Sequence, residues 1–468
     1  VEIRRRIAHR SEPNEKDRHC MSIPSQPGTL RPIRPIYRPS DDGNILVYAG
    51  DLDLATEQSQ WVAQGDLAIS LGPQPTFRAY FAGTERWLLD MVIGDRDQPS
   101  VALPGGAALD PPATSALPAE PESAGSWARD AIVIPNLLVG DFASAERVIL
   151  HITTASLLHV ALPVFETADG RQEQLPFRLP GWNLRLAKVR PRETEHDFSF
   201  VVEAVPRALP IDEEQVEQLT MRLFVLLNFL TGRAVGVHPV VGLGSDGRVV
   251  AARWAAPRVG SSGLRWCPDH LFARALPLLA GGFCEISANP ALDACVSRAI
   301  HLYISANGPG VLDVKIPVAC SGLELLAWCV LQDEGWLSPD GLSKLSVAGH
   351  QVRLLLKWAG IPIDLPSDFS ALDARRRKLS NPHFAGSDLV FNVRNALVHP
   401  PRKLTDIEWP SAEELIETWQ LATWYLEMAL LRVLGYDGEY VSRLQLTGSV
   451  WETARPPWTS VQPEPEPS

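Results

Sequence analysis

The period of the apolar residues changes at Asp212, and no other feature constrains the fold as strongly. Upstream, short apolar or alternating runs cover Asn44–Gly50, Asp66–Leu71, Thr76–Ala82, Trp87–Ile93, Ala131–Val139, Val148–Thr154, Leu157–Phe165 and Phe198–Val205. Turn residues such as Ala168-Asp169-Gly170 separate them. Alternation with period two marks half-buried strands. Many short antiparallel strands at this spacing predict a sandwich or barrel-like domain.

Downstream of Asp212 the period is helical. Asp212 with Gln215 reads as a capping box, and Val216, Leu219, Leu223, Leu226 and Leu230 form a stripe that stops at Gly232. A short β-like stretch follows over Gly236–Ala256; Trp254 and Trp266 at its end read as packing residues. Helices are then predicted over 268–281, 290–306, 319–333, 340–358, 369–380, 388–398 and 411–434. The last is the clearest. Ser411 caps it, Glu414 completes a capping box, and Gly435 ends it. Its seam of Leu415, Trp419, Ala422, Leu426, Ala429 and Val433 faces a bundle core, or alternatively a partner helix.

These readings give an α+β chain: a β-rich N-terminal sandwich or barrel-like domain followed by an all-α helical bundle. The expected divisions are a disordered extension over 1–40, the β-rich domain over 41–210, a linking helix and short β segment over 211–286, the bundle over 287–445, and a Pro-rich tail over 446–468. Residues 98–127, rich in Pro, Ala, Gly and Ser, read as a flexible insertion. Val1 reads as a literal GTG start, with Met21 the candidate initiator.

Composition narrows the function. At 45% hydrophobic and 21% charged residues the chain is that of an ordinary soluble globular protein. No run of 18 or more uncharged apolar residues occurs, so no transmembrane helix is expected. Leu219–Leu230 is strongly apolar, but Arg222 and Asn228 interrupt it, and it reads as a buried core helix. The first residues lack the apolar core of a signal peptide, which points to a cytoplasmic protein. The six cysteines (Cys20, Cys267, Cys284, Cys295, Cys320 and Cys329) form no Cys-x-x-Cys pair and read as small apolar side chains in a reducing compartment. No phosphate loop, dinucleotide fingerprint, zinc spacing or His-Glu-x-x-His is present, so neither a cofactor nor a metal is expected. A net charge of −12 argues against broad nucleic-acid binding but leaves room for a local basic site.

One such site is legible. Arg394, Asn395 and His399 stand in Val-Arg-Asn-Ala-Leu-Val-His-Pro. Arginine holds phosphate through paired charged hydrogen bonds, histidine moves protons near neutral pH, and asparagine both donates and accepts. The same residues also fit a surface ion pair and a helix-end histidine. Five residues on an ideal helix rotate by about 140°, so Arg394 and His399 are expected to meet only across a cleft or subunit interface. Pro400 pushes His399 out of the helical region, toward a helix end. Arg375, Arg376, Arg377 and Lys378 form a nearby basic cluster, and Arg402 and Lys403 follow the motif. These are weaker candidates for substrate binding, as is His383, which also reads as a turn residue.

The C-terminal half resembles the HEPN superfamily of nucleotide-binding helical domains, whose catalytic members carry Arg-x4–6-His with a polar residue after the Arg. Arg394, Asn395 and His399 match that pattern. Ser321-Gly322-Leu323-Glu324-Leu325-Leu326, the arm from Leu354 through Ile361-Pro362 to the motif, and Leu434-Gly435-Tyr436-Asp437-Gly438-Glu439-Tyr440 are similar to the ApeA-like, phage-defence branch. Trp451-Glu452-Thr453 followed by Pro456-Pro457-Trp458 approximates that branch's Glu-Thr-Val-Pro-Trp ending, with Ala-Arg-Pro-Pro-Trp here instead. The resemblance is firmest over 287–458. It implies a metal-independent endoribonuclease acting through Arg394, Asn395 and His399. It also implies a toxin-like role in abortive infection, RNA (tRNA among the candidates) as substrate, a homodimer through the helical domain, and an unknown trigger ligand for the N-terminal domain. Glu324 would orient Arg394, or serve as a helix-surface charge. The rival reading is a non-cleaving nucleotide-binding or scaffold protein with a degenerate site.

Overall fold

The computed structural model describes residues 30–40, 44–55, 60–71, 75–81, 100–104, 131–154, 160–189, 198–260, 263–345, 347–379, 383–399, 408–445 and 452–459. The strand expected at 87–93, most of the insertion at 98–127 and much of both termini lie outside them.

The N-terminal part is a sandwich of two antiparallel sheets. One holds β1 (Asn44–Ala55), β2 (Gln60–Ser70), β3 (Thr76–Phe81), β4 (Ser100–Ala102) and β5 (Ala131–Val133), in the order β4-β1-β2-β3-β5. The other is built from β6 (Asn136–Gly140), β7 (Arg147–Thr153), β8 (Val164–Thr167), β9 (Gly170–Leu179), β10 (Trp182–Lys188), β11 (Phe200–Pro206), β12 (Gly236–Leu243) and β13 (Val249–Ala255). Its order is β6-β13-β12-β7-β11-β10-β9-β8. The last two strands come from the segment read as a link, so the sheet is continuous across the boundary drawn at 210. β7 pairs with β12 and with β11, setting Val148 opposite both Gly242 and Ala204.

Alternation along this sheet gives it two buried faces. Ile149, Val201, Val241, Ala252 and Trp254 pack with Ile45, Leu67, Ile69 and Phe77 of the smaller sheet. Val148, Leu150, Ile152, Phe200, Val202 and Ala251 point the other way, into the core shared with the helices. That double burial explains the near-continuous apolar reading of β7 and β11. Trp254 and Trp266 are both buried packing residues, and the Trp254 Nε1–H donates to Tyr37 Oη at 2.9 Å.

The helices follow: α1 (Glu213–Thr231), α2 (Asp269–Ile286), α3 (Pro290–Asn307), α4 (Leu312–Asp333), α5 (Pro339–Lys344), α6 (Ala348–Ala359), α7 (Ser370–Lys378), α8 (Gly386–Val398) and α9 (Ala412–Val433). Both predicted capping boxes form. Gln215 N–H donates to Asp212 Oδ1 at 2.7 Å and Glu414 N–H donates to Ser411 Oγ at 3.2 Å. The helix expected at 340–358 is two, because Val347 is extended and caps α6. α4 starts at 312 rather than 319, with Pro317 inside it.

α4 is the spine of the bundle and packs on α3, α6, α8 and α9. Gly322 lets α9 approach closely: a Cβ there would sit 2.8 Å from Leu426 Cδ2. The α9 seam turns inward, with Ala422, Leu426 and Ala429 buried. By length and composition α4 would also cross a membrane, but half of its most apolar window is buried inside the protein. Tyr440–Val441 pairs with Thr453–Ala454, and Trp458 Nε1–H donates to Tyr436 O at 3.0 Å, so residues 452–459 of the expected tail pack back on the bundle.

Candidate functional site

α8 presents the motif. Its start is held by Asp388, whose carboxylate accepts from Ala385 N–H at 2.8 Å and pairs with Arg353 of α6. Leu389, Val390 and Val393 bury one face, which leaves Arg394 half-buried and Asn395 exposed. The helix ends at His399, whose backbone is extended (φ −120°, ψ 104°) while its N–H still donates to Asn395 O at 2.9 Å.

That ending corrects the geometric expectation. The 140° rotation assumes a helix that continues through His399. Because His399 leaves the helix, its ring folds back, and Arg394 Nη1 lies 3.2 Å from Nε2 within one chain. A guanidinium only donates, so Nε2 accepts and the ring proton sits on Nδ1. The same Nη1 donates to Asn395 Oδ1 at 3.0 Å.

Glu324, from the exposed edge of α4, approaches Arg394 Nη2 at 3.9 Å. The pair is loose: Glu324 Oε1 and Arg394 Nε are buried atoms without a hydrogen-bond partner among the described residues. Burial pushes the Glu324 carboxyl above its ordinary value, and the Arg394 charge opposes that rise. The arrangement is a histidine, an amide and a guanidinium at one exposed helix end, backed by a half-buried carboxylate.

The other candidates do not join it. Arg375 donates to Asn392 Oδ1 at 2.7 Å and pairs with Glu414 at 3.3 Å, tying α7 to α8 and α9. Arg376 and Arg377 both pair with Asp373, and Lys378 pairs with Glu408. The cluster is thus an ion-pair network whose cations already have carboxylate partners. His383 lies exposed before the first turn of α8. The 13-residue helix separates it from His399 by roughly 20 Å, too far for a shared proton relay in one chain. Arg402 and Lys403 lie outside the described residues. Among the described residues no group of three or more His, Cys, Asp or Glu side chains is placed to hold a metal.

Of the two roles the sequence left open for Glu324, orienting Arg394 or a helix-surface charge, the packing of α4 on α8 places it facing Arg394, at 3.9 Å and without a bidentate pair. Sequence reasoning missed Asp388 and Arg353, which fix α8; the one sequence signal was an acidic residue in the first turn.

Residues 289–454 match the family model described as the YopA C-terminal domain. The chain is 26% identical over 246 residues to the SPbeta prophage-derived uncharacterized protein YopA of Bacillus subtilis (strain 168), an alignment covering 50% of this chain and 52% of that protein. The chain therefore spans about half the length of the curated relative it matches. No solved structure gives a significant match.

Proposed function

We propose that the helical part is a metal-independent endoribonuclease of HEPN type, acting at Arg394, Asn395 and His399. The observation that carries the reading is the 3.2 Å approach of Arg394 Nη1 to His399 Nε2 at an exposed helix end. RNA supplies its own nucleophile. His399 Nε2 takes the 2′-hydroxyl proton, the oxygen attacks the adjacent phosphorus, and the 5′-oxygen leaves with a proton. The products end in a 2′,3′-cyclic phosphate and a 5′-hydroxyl. Arg394 turns from the imidazole to the phosphate and stabilises its five-coordinate charge; Asn395 orients the phosphate. DNA, without the 2′-hydroxyl, resists this chemistry.

One chain offers one histidine here, while the reaction needs a proton taken and a proton given. The reading therefore includes a homodimer through the helical domain. The supporting feature is a stripe along α4 and its N-cap residue at three- and four-residue spacing: Val311, Val314, Val318, Ser321, Leu325 and Trp328. Val311, Val314 and Trp328 are 66%, 60% and 55% exposed, beside Glu324. Helices present such seams to partner helices. The sandwich is then the sensor for a trigger ligand, in a cytoplasmic effector of phage defence. Likeness to a prophage-derived protein fits a role in encounters between phages and their hosts.

One observation favours a second reading, a phosphate-holding module without cleavage. His399 Nε2 is occupied by Arg394 rather than open to a hydroxyl. Incubation of the purified protein with total RNA and tRNA in EDTA separates the two. Fragments ending in 2′,3′-cyclic phosphate support the nuclease; intact RNA that is nonetheless bound supports the module.

A further inference from the structure

Cys295 of α3 and Cys329 of α4 face the packed interface between these two helices. Cys295 Sγ donates to Leu325 O at 3.5 Å. Leu325 lies one turn before Cys329, and helical side chains lean over the turn that precedes them. Both sulfurs are therefore placed at the Leu325 carbonyl, close enough for each to act on the other's ionisation. Cys295 is buried, whereas Cys329 is only half-buried. Neither touches the Arg394 site. The other buried thiols differ: Cys267 and Cys320 are enclosed, and burial pushes both up.

We propose that Cys295 and Cys329 form a peroxide-sensitive dithiol that closes to a disulfide between α3 and α4. The Cys329 thiolate attacks one oxygen of hydrogen peroxide, breaking the O–O bond. This gives a sulfenic acid on Cys329, and the hydroxide released takes a proton to leave as water. Cys295 sulfur then attacks the sulfenic sulfur; the S–O bond breaks, and the oxygen leaves as a second water with the Cys295 proton. Two thiols are oxidised and one peroxide is reduced. As Cys329 ionises, the Cys295 proton turns from Leu325 O to the Cys329 sulfur; that bond favours the thiolate and pulls the Cys329 pKa below the ordinary thiol value, against burial and Asp333. The same bond, with burial, holds the Cys295 proton in place. The order of events follows: the less buried, acidified sulfur reacts first and its buried neighbour resolves it. The link formed would fix α3 against the helix that carries Glu324.

The test treats the reduced full-length protein with limiting hydrogen peroxide and maps its peptides. The expected result is one disulfide-linked pair joining the Cys295 and Cys329 peptides, reversed by dithiothreitol. Cys295→Ser should leave Cys329 as a sulfenic acid captured by a cyclic 1,3-diketone probe. Cys329→Ser should protect Cys295. Should either variant fail to fold, the wild-type map decides alone. Oxidation of Cys284 ahead of Cys329, or conversion of Cys329 to sulfinic acid without the link, would overturn the proposal.

Discussion

His151 makes the stability of the sandwich dependent on pH in a way that can be worked from the structure. It sits in β7, fully buried, facing the smaller sheet. Its Nδ1–H donates to Pro239 O at 2.8 Å, and its Nε2 accepts from Ile36 N–H at 3.0 Å. Tyr37 and Phe198 close over the ring at 5.8 and 4.7 Å. Both nitrogens are used by the neutral form, and a proton on Nε2 would break the tie to the segment at 36–37. Burial pulls its pKa down from 6.5 to about 4, with the Pro239 hydrogen bond opposing. The unfolded chain therefore binds the extra proton between about pH 6.5 and pH 4. The stabilisation is complete above the unfolded value and is lost as pH falls toward the folded one. From pH 7 to pH 5 this one ring accounts for a loss of about 2 kcal/mol. The perturbation is His151→Gln, whose amide keeps a donor and an acceptor but does not titrate. Urea unfolding at both pH values gives the loss for each protein. Whatever its absolute stability, the variant should lose about 2 kcal/mol less between them than wild type. Losses that agree within about 0.5 kcal/mol would refute the reasoning.

Other perturbations separate structure from chemistry. Glu427→Gln leaves the buried Arg443 without its countercharge, in a network with Tyr303 and Asn307; urea unfolding should show a loss of about 3–5 kcal/mol, and a loss near zero would contradict it. Arg394→Ala should slow RNA cleavage by about 10²–10³ with the fold intact by circular dichroism, whereas Arg377→Ala, which removes only a partner of Asp373, should leave the rate unchanged. Val314→Glu with Trp328→Glu places charge on the α4 stripe and should yield a monomer in sedimentation that no longer cleaves; an active monomer would end the dimer reading.

The helices were legible because their signals are local. Asp212 with Gln215 and Ser411 with Glu414 fix their termini within a few residues, and both boxes form. The sheets were legible in kind but not in extent. β9 escaped notice because Pro176 and the charged residues Arg171 and Glu173 dilute its alternation. β12 and β13 were read as a short β segment but set outside the β-rich domain, because their partners, β7 and β6, lie about a hundred residues upstream and no local pattern records that pairing. At the site, residue types and the helix-end position of His399 were readable. The contact with Arg394 was not, because a helical wheel cannot represent a side chain one residue past the last turn.

The central claim is that this helix end cleaves RNA through His399. Its most direct test is single-turnover cleavage of a defined RNA in EDTA by wild type and His399→Ala, with folding of both verified. The account predicts metal-free cleavage by wild type, leaving a 2′,3′-cyclic phosphate, and a rate for the variant lower by about 10²–10⁴. Equal rates for the two proteins would contradict it.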